Sequence, residues 1–371
     1  THEQGDRAWY TDLPVGISAY QENSGIQSPC LDLSGMDRPM IKLDLMKSFV
    51  PYIDGAVLQY RDVFEEGWKT VGRSATGIAW YNMDDIMQQP GGSSTGWGFT
   101  EFTPDTAWVR AMHHLDQLAR KPNVALRIAI ATSGGYSMGN QGFAFDNVAI
   151  LPRTKLTVLE HFTNCNEDTS AWADEIIHAL ATGNPKDVID LHYHVDYGNP
   201  DPMNMNNPDP PSTRSFNYGI PTVPFSVLEG GSALHHRYDY SDLKEGDMEE
   251  QLRLRSLEDP EFDIDLSVQW LGTGLEASAT ITCLNDGYEE YLQFYLVVFE
   301  TEVTAYTGQN GDTRVRNVVL DMLPSPAGKL LDYNWQPGIY ESRLPVAARQ
   351  YELWRLRNEH RADDAGQSAV Q

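Results

Sequence analysis

The spacing of apolar and polar positions changes character twice along the chain and so predicts three regions. Up to about residue 151, short segments rich in Ile, Val, Tyr and Trp alternate with turn signals such as Asp54-Gly55, Glu66-Gly67, Pro90-Gly91-Gly92 and Gly134-Gly135, the pattern of a β-sandwich. Asp54 to Tyr60 and Gly67 to Gly72 read as a hairpin, and Val124 to Ile130 and Phe143 to Ile150 as two long strands. From Leu156 an apolar strand runs into a turn, and Ser170 to Leu180 places apolar residues at helical spacing. Val188 to His194 reads as a second buried strand, and the proline-rich stretch from Asn199 to Pro211 as a surface loop. After Glu258 strict alternation returns: Phe262, Ile264, Leu266, Val268 and Trp270 share one face, and Leu275, Ala277, Ala279, Ile281 and Cys283 form the next inward row. Leu292 to Phe299 adds a third strand, and a turn at Gly308 to Gly311 leads to a strand from Arg314 to Pro324. The expectation is a mainly β, multidomain protein: a sandwich over 1–151, an α/β domain over 152–257, an immunoglobulin-like sandwich over 258–342 and a tail, 343–371, that reads equally as strand, helix or frayed end.

A length of 371 residues fits several cores. The 53 acidic against 27 basic residues, a net charge of −26, disfavour nucleic acid or an anionic membrane as partner. No apolar run is long enough to cross a bilayer, and the start at Thr1 reads as that of a processed or partial polypeptide. The three cysteines, Cys30, Cys165 and Cys283, permit at most one intramolecular disulfide and show no metal-type spacing.

The chemistry centres on Cys165. It stands after a strand and before a helix, where dithiol exchange needs a second cysteine three positions on, but Asp168 occupies that place. A carboxylate cannot resolve a mixed disulfide. These residues, with Val188 to His194 and with Thr222 to Val227 around Val223-Pro224, resemble the thioredoxin-like modules of Bacteroidota outer-membrane or surface lipoproteins, which often lack one or both cysteines. The resemblance implies a cis proline at Pro224 and a dismantled redox centre. A helix amino end favours a thiolate at Cys165, whereas Glu167 and Asp168 oppose one. His192 and His194 project to one face of a strand and are metal candidates together with Asp196, although a satisfied strand pair is the commoner outcome. His113-His114 and His235-His236, being adjacent, point in different directions.

In the first region Ser28 to Ser34, the strand at Val57, the Trp80-Tyr81-Asn82 turn, Arg127 to Ala129 and Gly142 to Val148 resemble the jelly-roll modules, similar to MAM domains, of large Bacteroidota surface proteins. That family implies a structural calcium between an acid near the start and one on the last strand, here Glu22 and Asp146. Trp80, Tyr81, Trp97 and Trp108 are sugar-stacking candidates, with burial in the core favoured. Arg314 to Pro324 resembles the closing strand of a β extension in the same thioredoxin-like proteins. No phosphate loop, Gly-x-Ser-x-Gly elbow or paired metal-type cysteines occur in the sequence. The expected protein is a secreted or cell-surface, outer-membrane-associated, non-catalytic binding or structural protein, with a surface protein or carbohydrate as partner. The alternatives are a single-cysteine redox enzyme using Cys165 and an accessory subunit of a larger envelope or extracellular assembly.

Overall fold

A computed structural model describes residues 8–10, 21–99, 107–133, 142–244, 246–271, 274–285, 291–304, 308, 314–333 and 335–342. The chain is mainly β with several sheets and forms two compact units, Thr1–Lys155 with Arg253–Asp259, and Leu156–Leu252 with Pro260–Gln371.

The first unit carries β1 (Trp9–Tyr10), β2 (Glu22–Gln27), β3 (Pro39–Ser48), β4 (Gly55–Asp62), β5 (Lys69–Thr70), β6 (Val109–His114), β7 (Val124–Thr132) and β8 (Gly142–Pro152). They make two four-stranded antiparallel sheets, β1-β8-β3-β6 and β2-β7-β4-β5. The two-residue strand period explains how both sheets feed one core. In β7, Val124, Leu126, Ile128 and Ile130 share a face and join Ile41, Leu43 and Leu45 of β3 in that core. Small Ala125, Ala129 and Ala131 occupy the opposite face. The turn residues Trp80 and Tyr81 pack with Trp97 at ring-centroid distances of 4.8–5.0 Å, and Tyr81 ties β4 by donating from its hydroxyl to the Leu58 carbonyl at 2.8 Å. The expected hairpin forms between β4 and β5, with Gln59 opposite Thr70.

The second unit carries β9 (Thr157–Thr163), α1 (Asp168–Gly183), β10 (Val188–His194), α2 (Pro202–Asn206), α3 (Asp209–Tyr218), β11 (Phe225–Leu228) and β12 (Arg237–Asp239). These are followed by α4 (Asp247–Leu257), whose residues from Arg253 on count with the first unit, and by β13 (Phe262–Leu271), β14 (Gly274–Cys283), β15 (Leu292–Phe294), β16 (Leu296–Val303), β17 (Val315–Leu323), β18 (Lys329–Leu331) and β19 (Gly338–Ser342). Its main sheet has six strands in the order β12-β11-β9-β10-β17-β16. β9 runs parallel to β10, and β10 parallel to β17, whereas β11 is antiparallel to β9. Leu159, Ala173, Ile177, Leu228 and Leu252 fill one side of this sheet, and Phe162, Tyr193, Phe225, Val319 and Met322 the other. The Val223–Pro224 bond leading into β11 is cis.

Three expectations differ from the fold. Residues 199–211 are not a loop throughout: α2 starts at Pro202 and α3 has proline in its first turn, where a helix has no use for the missing N–H. The region 258–342 is not one separate sandwich, because β16 and β17 complete the six-stranded sheet while β13, β14 and β19 form a three-stranded one and β15 pairs with β18. Finally, Ala277, Ala279, Ile281 and Cys283 of β14 are buried as expected, but Ile264, Leu266 and Val268 of edge strand β13 stand 50–57% exposed. The side chains of Trp270 and Leu275, the turn residues Gly134, Gly135 and Gly311 and the tail 343–371 lie outside the described residues.

Candidate functional site

Strand alternation builds a buried polar layer in the second unit. Along β9 the residues Leu159, His161 and Thr163 share a face, and along β10 so do Asp190, His192 and His194. The parallel register sets His192 beside His161 and His194 beside Thr163. Helix α1 closes over this face with Ser170, Ala173, Asp174 and Ile177, buried at helical spacing. Asp174 accepts from His161 Nε2 at 2.8 Å and from the Thr163 hydroxyl at 2.8 Å. His161 Nδ1 accepts from the Ser226 hydroxyl at 2.8 Å, and Ser226 in turn meets the Tyr240 hydroxyl at 2.8 Å. His192 Nε2 lies 3.3 Å from Asp190.

Beyond the carboxyl ends of β9 and β10 lies a second group, Cys165, His194 and Asp201. Asp201 is the N-cap of α2: its Oδ1 accepts from the backbone N–H of Met203 at 2.7 Å and of Asn204 at 3.1 Å. Its Oδ2 accepts from the Cys165 backbone N–H at 2.8 Å and from His194 Nδ1 at 3.0 Å. Both groups, His161–Asp174–His192 and Cys165–His194–Asp201, bring one ligand atom per residue within 4.8 Å of the others.

Asparagines tie the segment from Val195 to Pro200 to the residues on either side of Cys165. Asn164 Nδ2 donates to the carbonyls of Val195, Tyr197 and Asn199 at 2.6–3.3 Å. Asn166 Nδ2 donates to Pro200 at 2.7 Å and Asn199 Nδ2 to Asn166 at 3.0 Å. Cys165 is only 2% exposed. Burial, and then the adjacent Asp201 carboxylate, push the thiol well above its ordinary value, so it is protonated at neutral pH. Burial lowers the His161 imidazole in the same way and keeps it neutral. For Asp201 burial opposes the charge, but His194 and the N–H groups of Cys165 and Asn204 outweigh it and hold the carboxyl below its usual range.

Among the residues singled out from sequence, Cys165, His192 and His194 belong to this layer. Asp168 is exposed in the first turn of α1, which is capped by Glu167. Asp196 is not brought to the histidines as a ligand; its carboxylate accepts from the Asp201 N–H at 2.7 Å. His161, Asp174 and Asp201 escaped the sequence reading. Asp201-Pro202 carries an N-cap signature that marks the helix start, and Asp174 falls four residues after Ser170 on the buried stripe. The register that pairs His161 with His192 leaves no mark in sequence. Cys30, Cys165 and Cys283 are all free thiols, with Cys30 exposed.

In the first unit Glu22 lies on β2 and Asp146 on β8, strands of different sheets. Glu22 accepts from the Ser24 hydroxyl at 2.5 Å, while Asp146 stands opposite Asp44 of β3. Neither joins the two metal-capable groups found among the described residues. Trp80, Tyr81 and Trp97 are core residues, which removes them as an exposed stacking face. His113 and His114 are buried as well: His113 Nδ1 donates to the His114 carbonyl at 2.6 Å, and His114 Nε2 lies 2.9 Å from the Ser256 hydroxyl. A mainly apolar cleft of about 570 Å³ opens between the two sheets, lined by Trp9, Ile26, Met36, Leu126 and Phe145, with Asp32 and Arg127 among its few charged groups.

No family model matches the chain, and no curated protein matches it. Solved structures similar to part of it include protein AGR_C_4864 from Agrobacterium tumefaciens, 17% identical over 52% of this chain and 81% of that one with a TM-score of 0.33. They also include HBP35 of Porphyromonas gingivalis, 14% identical over 51% of this chain and 64% of that one with a TM-score of 0.39. Likeness at that level carries no argument about function. Among the described residues no helix is long and apolar enough to cross a membrane.

Proposed function

We propose that the chain is a non-catalytic binding protein of the cell surface or extracellular space, in which a jelly-roll unit holds the ligand and a thioredoxin-like unit without exchange chemistry is its scaffold. The jelly-roll reading is supported by the eight strands found among the described residues, in two sheets of four ordered β1-β8-β3-β6 and β2-β7-β4-β5. The thioredoxin-like reading is supported by parallel β9 and β10 joined through α1, with antiparallel β11 and β12 added on the far side of β9. The cleft between the two sheets of the first unit has the size and the apolar lining of a small-ligand site.

The observation that carries the non-catalytic half is the state of Cys165. Its thiol is buried, flanked by residues that the asparagine contacts hold in place, and kept protonated, whereas a redox or nucleophilic cysteine needs an accessible thiolate. With no second thiol at position 168, a mixed disulfide formed here has no internal route to resolution. In the native, metal-free protein a thiol reagent at pH 7.5 is therefore expected to label Cys30 rapidly and Cys165 only on unfolding, and insulin is not reduced at any rate above buffer. Labelling of Cys165 as fast as that of Cys30 would overturn the reading in favour of a single-cysteine enzyme.

A further inference from the structure

We propose that Cys165, His194 and Asp201 form a mononuclear zinc site at the carboxyl ends of β9 and β10. One donor atom from each residue already lies within 4.8 Å of the others, and all three residues are at most 2% exposed. Donor atoms around a tetrahedral zinc are separated by about 3.5 Å, so the group closes onto an ion by movements of about 1 Å. The mixture of sulfur, imidazole nitrogen and carboxylate oxygen selects the metal. A thiolate and a carboxylate supply two negative charges, which Zn²⁺ cancels, and zinc accepts all three donor types. Univalent copper leaves the carboxylate poorly matched, and calcium or magnesium the sulfur.

The surroundings hold the donors in place. Asp201 is fixed by the first N–H groups of α2, the Cys165 backbone is fixed on Asp201, and Asn204 Nδ2 donates to the His194 carbonyl at 2.9 Å. Such outer contacts orient metal ligands before the ion arrives. The site also stands at the carboxyl ends of two parallel strands, the end of the sheet at which open α/β folds bind their ligands. Loading is a simple exchange: Zn²⁺ enters, the Cys165 S–H bond breaks, its proton passes to the buffer, and a Zn–S bond forms without any change of oxidation state. Three protein donors leave one coordination position for water or an added ligand. This proposal is independent of the binding role assigned to the first unit.

The test uses the full chain, stripped with chelator and dialysed, then titrated with cobalt(II) as a spectroscopic probe and with zinc in competition. One equivalent of cobalt is expected to give a near-ultraviolet sulfur-to-cobalt charge-transfer band together with visible bands of tetrahedral intensity, both abolished by equimolar zinc. Cys165→Ser should lose the charge-transfer band, Cys30→Ser should retain it, and Asp201→Asn should weaken zinc at least about tenfold. Far-ultraviolet circular dichroism identifies any variant that has not folded. In that event zinc protection of the wild-type Cys165 thiol from alkylation in mild denaturant makes the same distinction. Absence of the band in the wild-type protein, or a band that survives Cys165→Ser, overturns the site; cobalt uptake without the band marks adventitious binding to the acidic surface. Labelling of Cys165 in the stripped protein tests the non-catalytic reading separately, so the two can fail independently.

Discussion

At the scale of single residues, the second unit shows how a two-residue strand period distributes charge. His161 faces α1, and its neighbour Glu160 must therefore face α3, where it is 3% exposed. Arg214 of α3 meets it with a fork, Nε to Oε1 at 2.7 Å and Nη2 to Oε2 at 2.9 Å, and the Tyr218 hydroxyl also bonds Oε2. A buried carboxylate so paired is costly to orphan. Arg214→Ala is expected to destabilise the second unit by about 3–5 kcal/mol, and Arg214→Lys to recover only part of that, since an ammonium cannot reproduce the fork. Urea unfolding followed through this unit measures both; an Arg214→Ala variant within 1 kcal/mol of wild type would mean that water reaches Glu160. None of this pairing was legible in sequence, because the helix carrying Arg214 begins inside a proline run that reads as loop. Cys165 was legible as a cysteine without a resolving partner, whereas its burial depends on Asn164 and Asp201, whose roles only the fold assigns.

At the scale of elements, local patterns were legible and sheet membership was not. The alternation in β7, β8, β13 and β14 and the helical stripe of α1 all stand out in sequence, since each is a property of a few consecutive residues. That β17 lies beside β10, with Val318 opposite His192, follows from no local signal: more than a hundred residues separate the two strands. The pairing predicts a dependence that three separate domains would not show. A chain ending at Asp259 loses β17, which leaves one edge of β10 unpaired and removes Val319 and Met322 from the core packed on Phe162 and Tyr193. Unpaired backbone along a buried strand is poorly tolerated. In that truncated chain the amides of β9 and β10 should exchange with solvent at least about a hundredfold faster, a loss of about 3 kcal/mol of protection, while those of β3 and β7 in the first unit keep theirs. Native-like protection in β9 and β10 would show that residues 156–252 fold without the later strands.

At the scale of the whole molecule, the sequence announces a net charge of −26 and the fold decides how the protein responds to pH. Two opposing effects meet on acidification. Protonating surface carboxylates relieves self-repulsion and stabilises the folded state, but this starts only near pH 4–5, where exposed acids titrate. The buried histidines act earlier. Burial lowers His113 to about 4, and burial together with Arg153 and Arg253 lowers His114 to about 2. Unfolded, both titrate near 6.5, so below that pH the unfolded chain binds protons that the folded chain does not, and stability falls with falling pH. The contribution is complete above 6.5 and is lost progressively down to the folded values. Each histidine costs about 1.4 kcal/mol per pH unit across that interval, so the pair removes about 2–3 kcal/mol per unit between pH 6 and 4.5. Burial lowers His161 too, which extends the same sign to the second unit. The denaturation midpoint of the first unit, followed by the fluorescence of Trp80 and Trp97, is expected to drop from pH 7 to pH 5 in 0.15 M salt, where long-range surface repulsion is largely screened. His114→Gln should lower stability at pH 7 but roughly halve the slope, because one of the two neutral imidazoles has gone. A midpoint that stays level or rises between pH 7 and pH 5 would show that the two rings gain their protons in the folded state, contrary to the burial that encloses them.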